Sequence, residues 1–532
     1  MPCEYIRVKF EEARTVLCGG NDIGKTNKTL RIDPGVHTIS LEGAQDYEPP
    51  EQEVEVEDTS RKVPMVIKFK KLLGLLFLAV AFSQATGCAH HPINKPLPHW
   101  DASAGYRFDN TPANTTNTDE LFVILAFSGG GTRAAALSYG ALEALAEEKI
   151  TFQGVEKSLL DEVDIVSTIS GGSFTGAYFA LHGKPPWKDY ENNFLYHNVT
   201  LGLAWGLLNP LHWPKLASSK YDRIDMAADY YDRLVFDHHT FADLEQKHSR
   251  PFLMINSTDM SLARRFEFSQ DQFDLMSSDL SSVPVARAVA ASSAFPFLLS
   301  PLTLNNYGKT ENGYVVKTWM RDALANRQKY PRDYGEGLAF QSYLDATNRP
   351  FVHLLDGGLS DNVGLRGPFY ALTSSKRPWT LFNLLNEKIK HLVIITVNAR
   401  NGTRPDWDGK EKAPGIKGMF GTVVNGPMGN YSEETVQQML DRAREINAEN
   451  VDDDGSRPAN AANSKELNKL TVYSIEVNFM DVKNKERREE LLQIGTSFNL
   501  SRKQVDLLRA TAKDLIGESD GLKKLRANLA KP

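Results

Sequence analysis

The sequence has few cysteines and little excess charge of either sign, and each scarcity excludes a class of protein. Of its 532 residues only three are cysteine, at positions 3, 18 and 88. A disulfide scaffold is therefore excluded, and no cysteine–histidine cluster has the spacing of a zinc site. Lysine and arginine number 61 against 67 aspartate and glutamate, a net charge of −6. This balance does not indicate a basic surface of the kind that binds nucleic acid.

Long apolar runs are also scarce, with one exception at residues 72–82, LLGLLFLAVAF. This run is short for a bilayer span, which needs about 20 residues. With the lysines at 68, 70 and 71 before it, it is typical of the central part of a signal peptide. The alternative is a buried core helix. The following residues 85–88, ATGC, resemble a bacterial lipobox, which makes Cys88 a candidate for lipidation.

This segment, residues 64–88, leaves two alternatives for the start of the protein. Either translation begins at Met65, or residues 1–63 form a cytoplasmic domain in front of a short membrane anchor. In both cases the positive-inside rule places the lysines in the cytoplasm. We therefore expect a membrane-associated protein whose residues from 89 onward lie outside the cytoplasmic membrane.

Residues 1–63 alternate apolar and polar side chains between turn signals, which predicts a small β-sandwich-like domain. The stretch weakly resembles a PEGA-type surface domain. Within it, residues 19–26, GGNDIGKT, match the P-loop pattern. A P-loop needs a helix directly after it, whereas the next residues alternate like a strand and reach Pro34. We therefore interpret this motif as the turn of a hairpin.

The rest of the chain divides by composition. Residues 89–118 are rich in proline, asparagine and threonine and predict a linker. From residue 119 to 532, short apolar runs alternate with helical stretches, which predicts an α/β domain with a mostly parallel sheet and a helical C-terminal extension. The expected strands are 121–127, 163–168, 252–257, 351–355, 392–398 and 472–477. An insertion at 185–231 is rich in leucine and aromatic residues, and predicts either a lid facing lipid or ordinary core packing.

A glycine-rich loop follows the first strand of this domain. Gly129, Gly130 and Gly131 lie between residues 121–127 and a helix predicted to end near Glu148. Free backbone N–H groups at a helix N-terminus can bind a phosphate or a transition-state oxyanion. The loop also fits a dinucleotide fingerprint, but that requires an acidic residue at the end of the next strand. The next strand ends instead in a serine.

That serine, Ser170, is followed by Gly171 and Gly172 and then by a helix that Gly183 would close. A strand, a serine and small residues before a helix are typical of a nucleophile elbow. The N–H of Gly171 is a further candidate oxyanion donor.

Asp356 comes directly after the strand 351–355 and before Gly357 and Gly358. A carboxylate in this position is expected at the edge of the sheet where catalytic groups of open α/β folds gather. An Asx-turn is the structural alternative. A nucleophilic serine needs a base, and no histidine has a suitable position, since His391 begins the strand after Asp356. The economical prediction is a dyad in which Asp356 accepts the Ser170 proton.

Taken in this order, the three motifs resemble the patatin-like phospholipase family over roughly residues 120–400. Residues 287–297 and the strand beginning at Phe252 resemble further segments of that family. The resemblance implies a three-layer α/β/α fold with Ser170 as nucleophile, Asp356 as base and the loop glycines as oxyanion donors. Arg133 would support the loop. The sequence departs from the family pattern at Ser128, Ala134 and Thr168.

The resulting expectation is a serine acyl hydrolase that cleaves ester bonds of phospholipids or related lipids. Such a dyad needs no metal or organic cofactor, and its partners would be a lipid substrate and a membrane surface. The alternative, motivated by the departures, is a catalytically weak or inactive lipid-binding envelope protein on the same fold.

Overall fold

The computed structural model describes residues 3–43, 47–71, 94–112, 117–152, 154–218, 221–296, 298–308, 312–373, 389–402, 406–409, 411, 413–449 and 470–530. The chain forms two compact units, Met1–Cys88 and Ala89–Pro532. The apolar run at 72–82 and Cys88 lie outside the described residues. Among the described residues, none of the helices combines the length and apolarity needed to cross a bilayer.

The first unit is rich in β-structure, as predicted. Its strands are β1 (Glu4–Lys9), β2 (Thr15–Cys18), β3 (Asn21–Lys25), β4 (Thr29–Ile32), β5 (Gly35–Leu41), β6 (Tyr47–Glu48), β7 (Gln52–Val56), β8 (Met65–Lys68) and β9 (Lys70–Lys71). They form sheets in the orders β4-β1-β8, β3-β2-β5-β7 and β6-β9. The alternating residues Ile6, Val8, Val16 and Ile39 are buried in one core.

Two sequence interpretations are decided within this unit. The P-loop-like motif spans the tight turn between β2 and β3, which pair antiparallel as a hairpin, so the turn interpretation is confirmed. The predicted boundary at residue 63 is wrong, because β8 pairs in parallel with β1 and β9 pairs with β6. The residues that the sequence analysis placed at the charged start of a signal peptide are therefore strands of this sheet.

The second unit contains the remaining strands and the longer helices. The strands are β10 (Lys95–Pro96), β11 (Leu121–Phe127), β12 (Lys149–Phe152), β13 (Val155–Ser158), β14 (Val163–Ile169), β15 (Phe252–Asp259), β16 (Arg264–Glu267), β17 (Ser278–Asp279), β18 (Leu302–Asn305), β19 (Phe351–Leu355), β20 (His391–Asn398) and β21 (Thr471–Asn478). The helices of seven or more residues in the described part are α1 (Thr132–Glu147), α2 (Gly171–His182), α3 (Val199–Leu208), α4 (Arg223–Tyr231), α5 (Phe241–Lys247), α6 (Val285–Ser292), α7 (Thr318–Ala325), α8 (Pro331–Tyr343), α9 (Arg366–Thr373), α10 (Ile416–Glu449), α11 (Lys485–Gln493), α12 (Arg502–Glu518) and α13 (Asp520–Leu529).

A mostly parallel sheet with helices around it organises this unit, which confirms the predicted α/β/α fold. The strand order is β18-β19-β15-β14-β11-β20-β21, with β16 attached to β15. β15, β14, β11, β20 and β21 are parallel to their neighbours, whereas β16, β18 and β19 pair antiparallel. β11 and β14 are buried at every position, as expected of central strands covered on both faces.

The predicted linker is wrong in its described part, since residues 94–112 pack on the folded unit. β10 pairs with β17, and the Trp100 indole donates to Asp274 at 2.8 Å. Tyr106 and Phe108 are buried in the main core, and Arg107 forms an ion pair with Asp274 at 2.8 Å. The proline and asparagine content suggested a linker, but these anchoring side chains between them decide the packing.

Candidate functional site

The chain reverses direction sharply at Ser170, between β14 and α2. The residue has φ of +48°, a backbone conformation that residues other than glycine rarely adopt. Its Oγ is thereby presented at the carboxyl edge of the parallel strands, as an elbow requires. α2 ends at His182, and Gly183 follows with φ of +75°, so the predicted C-terminal glycine is confirmed.

Asp356 reaches the same edge from the opposite direction. β15 extends beyond the end of β14, and β19 pairs antiparallel with that extension, placing Leu355 opposite Thr258. The end of β19 therefore lies beside the end of β14. The Ser170 hydroxyl donates to Asp356 Oδ2 at 2.9 Å, and the Gly358 N–H donates to Oδ1 at 2.8 Å. The sequence pattern predicts this position for Asp356, but not that an antiparallel strand supplies it.

The environment of Asp356 favours its protonated form more than water does. The residue is 6% exposed, and burial raises the pKa of its carboxyl from 3.8 to about 6, while the hydrogen bonds from Gly358 and Ser170 lower it. A carboxylate with a pKa near neutrality is well suited to accept and return a proton.

The glycine loop supplies free N–H groups, but not the full predicted set. The N–H of Gly129 donates to the carbonyl of Asn362 at 3.0 Å, so its predicted role as an oxyanion donor is corrected. Gly130 and Gly131 have φ of +145° and +61°. Among the described residues, the N–H groups of Gly130, Gly131 and Gly171 have no hydrogen-bond acceptor.

The two turns approach so closely that only glycine fits. A methyl group on Gly171 would collide with the backbone of Gly131, and one on Gly172 would lie 2.7 Å from the Ser128 carbonyl oxygen. Around the aspartate, a methyl group on Gly357 would collide with the Asn256 carbonyl. One on Gly358 would lie 3.1 Å from Asp356 Oδ1. The predicted supporting glycines therefore set how closely the serine and aspartate loops can pack.

Arg133 supports the loop from within the protein. Its guanidinium donates to the carbonyls of Ala399 at 2.7 Å and Ile494 at 2.5 Å, and to the Thr496 hydroxyl at 3.1 Å. Burial lowers the pKa of Arg133 to about 10, so it remains charged at neutral pH. These three acceptors are neutral, and the guanidinium lies next to Gly130, since a methyl group on that glycine would be 3.1 Å from it.

Among the described residues, no histidine contacts either member of the Ser170–Asp356 pair. His391 starts β20 at the other end of the sheet, where its ring lies 3.2 Å from the Tyr473 hydroxyl. The described residues also contain no group of three or more His, Cys, Asp or Glu side chains suited to a metal ion.

The departures from the family pattern at Thr168 and Ser128 are accommodated locally. The methyl group of Thr168 occupies the space that a side chain at position 176 would need, and position 176 is glycine. The Ser128 hydroxyl accepts the Ala399 N–H at 2.8 Å. Both residues are fully buried, so neither substitution leaves a gap at the turns.

Three residues that were not predicted as site residues hold the site together. Ser292 Oγ accepts the N–H of Ser170 at 2.8 Å, Asn362 holds Gly129, and the Ser497 carbonyl accepts the Thr132 N–H at 2.9 Å. The serine pair that ends the alanine-rich helix α6 was a usable signal for Ser292. Ser497 follows a helix of charged residues and carries no local signal.

The site thus brings together an elbow serine, an aspartate hydrogen-bonded to it and free amide groups at one edge of an α/β sheet. Residues 125–368 match the model of the family described as "Patatin: Patatin-like phospholipase". This match includes the glycine loop, Ser170 and Asp356. Residues 125–368 therefore form a patatin-like phospholipase domain.

Solved structures show more distant likeness. Human GIVD cytosolic phospholipase A2 is 12% identical with a TM-score of 0.39, over 99% of this chain and 80% of that one. VipD from Legionella pneumophila is 12% identical with a TM-score of 0.29, over 76% and 67%. These values are too low to carry an argument, and the assignment rests on the family model. No curated protein matches the chain.

Proposed function

We propose that this protein is a serine acyl hydrolase that cleaves ester bonds of phospholipids or related lipids. The observation that carries the proposal is the hydrogen bond of 2.9 Å between Ser170 Oγ and Asp356 Oδ2 in a patatin-like domain. In the described part of the chain, the hydrogen bonds to the Asp356 carboxylate come from Ser170 and Gly358 and not from a cation, so it is available to accept the serine proton. The match of residues 125–368 to the patatin-like phospholipase family supports lipid hydrolysis as the reaction class.

In the proposed reaction Ser170 Oγ attacks the acyl carbonyl carbon while its proton passes to Asp356. The tetrahedral oxyanion accepts hydrogen bonds from Gly130, Gly131 and Gly171, each donor contributing roughly 3 kcal/mol. The positive charge of Arg133 behind the loop favours the same anion. Asp356 then gives its proton to the departing alcohol oxygen, leaving an acyl-serine.

Deacylation repeats the exchange with water. Asp356 accepts a proton from water as its oxygen attacks the acyl-serine carbon, and the Ser170 oxygen leaves and recovers that proton. The dyad thus returns to its initial state with no net change in protons on the protein. The same amide groups stabilise both tetrahedral intermediates.

We further propose that an exposed part of the insertion contacts the lipid surface. We call Leu201, Trp205, Leu208, Leu211 and Trp213 the apolar surface. Leu201, Trp205 and Leu208 share one face of α3, and Leu208 and Leu211 are 66% and 81% exposed. Other leucine and aromatic residues of the insertion, such as Phe194 and Leu203, are buried, so core packing accounts for part of its composition only.

The position of α3 supports this assignment. The N–H of Thr200, at its first turn, donates to the Phe498 carbonyl at 3.3 Å. The preceding residue, Ser497, accepts from Thr132 beside the glycine loop. The apolar surface therefore starts close to the site, where an apolar helix resting on lipid would bring acyl chains to the serine.

Membrane attachment of the whole chain remains a proposal from the sequence. Residues 72–88 would anchor the protein, or Cys88 would carry a lipid, with the patatin-like domain on the extracytoplasmic side. The intact mass of protein extracted from membranes tests this directly. A lipid-sized mass increment that disappears in Cys88→Ala supports lipidation, and an unmodified Cys88 contradicts it.

Hydrolysis of dispersed phospholipid and of p-nitrophenyl esters by wild type and Ser170→Ala tests the proposed function. We expect Ser170→Ala to lower kcat by roughly 10³- to 10⁶-fold. If the folded wild type hydrolyses neither substrate, the alternative of an inactive lipid-binding protein is favoured, and vesicle binding by the same protein then tests that alternative.

A further inference from the structure

Ser292 forms a bridge between the two halves of the proposed dyad. It is the last residue of α6 and is fully buried. Its Oγ accepts the N–H of Ser170 at 2.8 Å, and its carbonyl accepts the N–H of Gly357 at 3.0 Å. Two residues later, the Ala294 carbonyl accepts the N–H of Asp356 itself, also at 3.0 Å.

The hydrogen bonds of the Ser292 hydroxyl have only one consistent direction. Its hydrogen is donated to the Asn256 carbonyl at 2.6 Å, on the strand that lies between the serine and aspartate strands. It must therefore accept from both Ser170 N–H and the Ser173 hydroxyl, which lies 3.0 Å away. A hydroxyl offers one donor and two acceptor sites, so all three are used and the side chain has a single orientation.

The hydrogen bond from Ser170 to Ser292 stabilises an unfavourable backbone conformation at the elbow. Ser170 has φ of +48°, and such a backbone conformation persists only where the surroundings hold it, at a cost of about 1–3 kcal/mol. The Ser292 hydroxyl is the acceptor for the Ser170 N–H. Removing it leaves that N–H buried without a partner.

We infer that Ser292 is a positioning residue that sets the distance between Ser170 Oγ and the Asp356 carboxylate. It touches neither substrate nor reacting atoms, and acts by fixing the two loops from one helix end. The inference rests on the proposed function, because it concerns the rate of the same acyl transfer. A displacement of about 1 Å in such a pair can lower the rate about 10²-fold.

The test compares Ser292→Ala with the matched variant Ser293→Ala on a soluble ester. Ser293 is equally buried, but its hydroxyl donates within α6 to the Val289 carbonyl at 2.8 Å. We expect Ser292→Ala to lower kcat 10- to 100-fold with KM within about two-fold. Ser293→Ala should keep wild-type kcat, although both variants lose a buried hydroxyl and some thermal stability.

A purely structural role predicts a different result, in which both variants lose activity only in proportion to the unfolded fraction. Equal kcat for the two folded variants overturns the inference. If Ser292→Ala does not fold, Ser292→Cys replaces it, since sulfur fills the space but is a weak acceptor. Ser292→Cys with wild-type kcat likewise overturns the inference. Inactive wild-type protein would instead count against the proposed function, so the two failures are distinguishable.

Discussion

The hydroxyl of Ser170 lies 2.9 Å from the carboxylate of Asp356, although 186 positions separate the two residues. Strand geometry explains how they meet, because β14 and β19 end side by side from opposite directions. The pair is almost fully buried, so each bond it makes has a measurable consequence for stability or rate.

Asp356→Asn should abolish activity and raise stability at neutral pH. Burial raises the pKa of Asp356 to about 6 from 3.8, so the folded protein binds this proton more tightly than the unfolded chain. The ionised carboxylate therefore destabilises the fold as pH rises from about 4 through 6. We expect a gain of order 2–3 kcal/mol in the free energy of unfolding at pH 7.5.

Urea unfolding at pH 7.5 and pH 4 measures this effect, and the gain should be much smaller at pH 4. Ser170→Ala is the matched control, because we expect it to be inactive as well while it keeps the buried carboxylate. A stability of Asp356→Asn that is equal to or below that of wild type at pH 7.5 would contradict the assigned environment.

The rate should depend on the protonation of the same group. As the proposed base, Asp356 would accept a proton only when ionised, so kcat/KM for a soluble ester should fall tenfold per pH unit below about pH 6. The profile is measured from pH 4.5 to 8, with circular dichroism to confirm the fold at each point. A flat profile across pH 5–7 would rule out Asp356 as the base.

Thr168 and Gly176 should behave as a coupled pair. Gly176→Ala places a methyl group against Thr168 and should destabilise the protein by roughly 1–3 kcal/mol. Thr168→Ser removes the opposing methyl group but keeps the hydroxyl that donates to Met254 at 3.3 Å.

The double variant Thr168→Ser/Gly176→Ala should therefore recover most of the lost stability, since neighbouring substitutions are not additive. Thermal unfolding of wild type, the two single variants and the double variant gives the double-mutant cycle for this pair. Additive effects of the two substitutions would show that the residues do not compensate each other.

Substitutions in the apolar surface should lower the hydrolysis of vesicle phospholipid more than the hydrolysis of a soluble ester. Replacing Trp205 and Leu208 by serine removes two side chains that are 64% and 66% exposed. We expect the rate on phospholipid vesicles to fall at least tenfold, and the rate on a soluble ester to fall much less. Vesicle co-sedimentation should weaken in parallel.

Met480→Ser provides the control, because Met480 is 62% exposed outside the apolar surface. It should leave both rates and vesicle binding at wild-type values. Equal losses on vesicles and soluble ester for the Trp205 and Leu208 variant would mean that this surface does not contact lipid.

The sequence predicted the central strands and the serine and aspartate turns well, because their signals are local. Buried strands such as β11 appear as unbroken apolar runs, and the turns need glycine where backbones approach. The antiparallel course of β19 was not predictable, since pairing direction depends on distant partners such as Thr258. For the same reason the bond from Gly129 to Asn362 was missed.

Amino-acid composition led to two wrong predictions of domain boundaries in the N-terminal part of the chain. Residues 94–112 contain the prolines and asparagines of a linker, yet Tyr106 and Phe108 provide enough apolar area to pack them onto the domain. Residues Met65–Lys68 resemble the start of a signal peptide, but the same short alternation also forms strand β8. Neither outcome follows from local pattern, because each depends on a partner strand or core elsewhere in the chain.

Reaction with a fluorophosphonate probe, followed by intact mass and peptide mapping, tests the central claim most directly. The account predicts one adduct per chain, located on Ser170, with labelling absent in Ser170→Ala and slowed by orders of magnitude in Asp356→Asn. Folded wild-type protein that does not react, or Asp356→Asn that reacts at the wild-type rate, would contradict it.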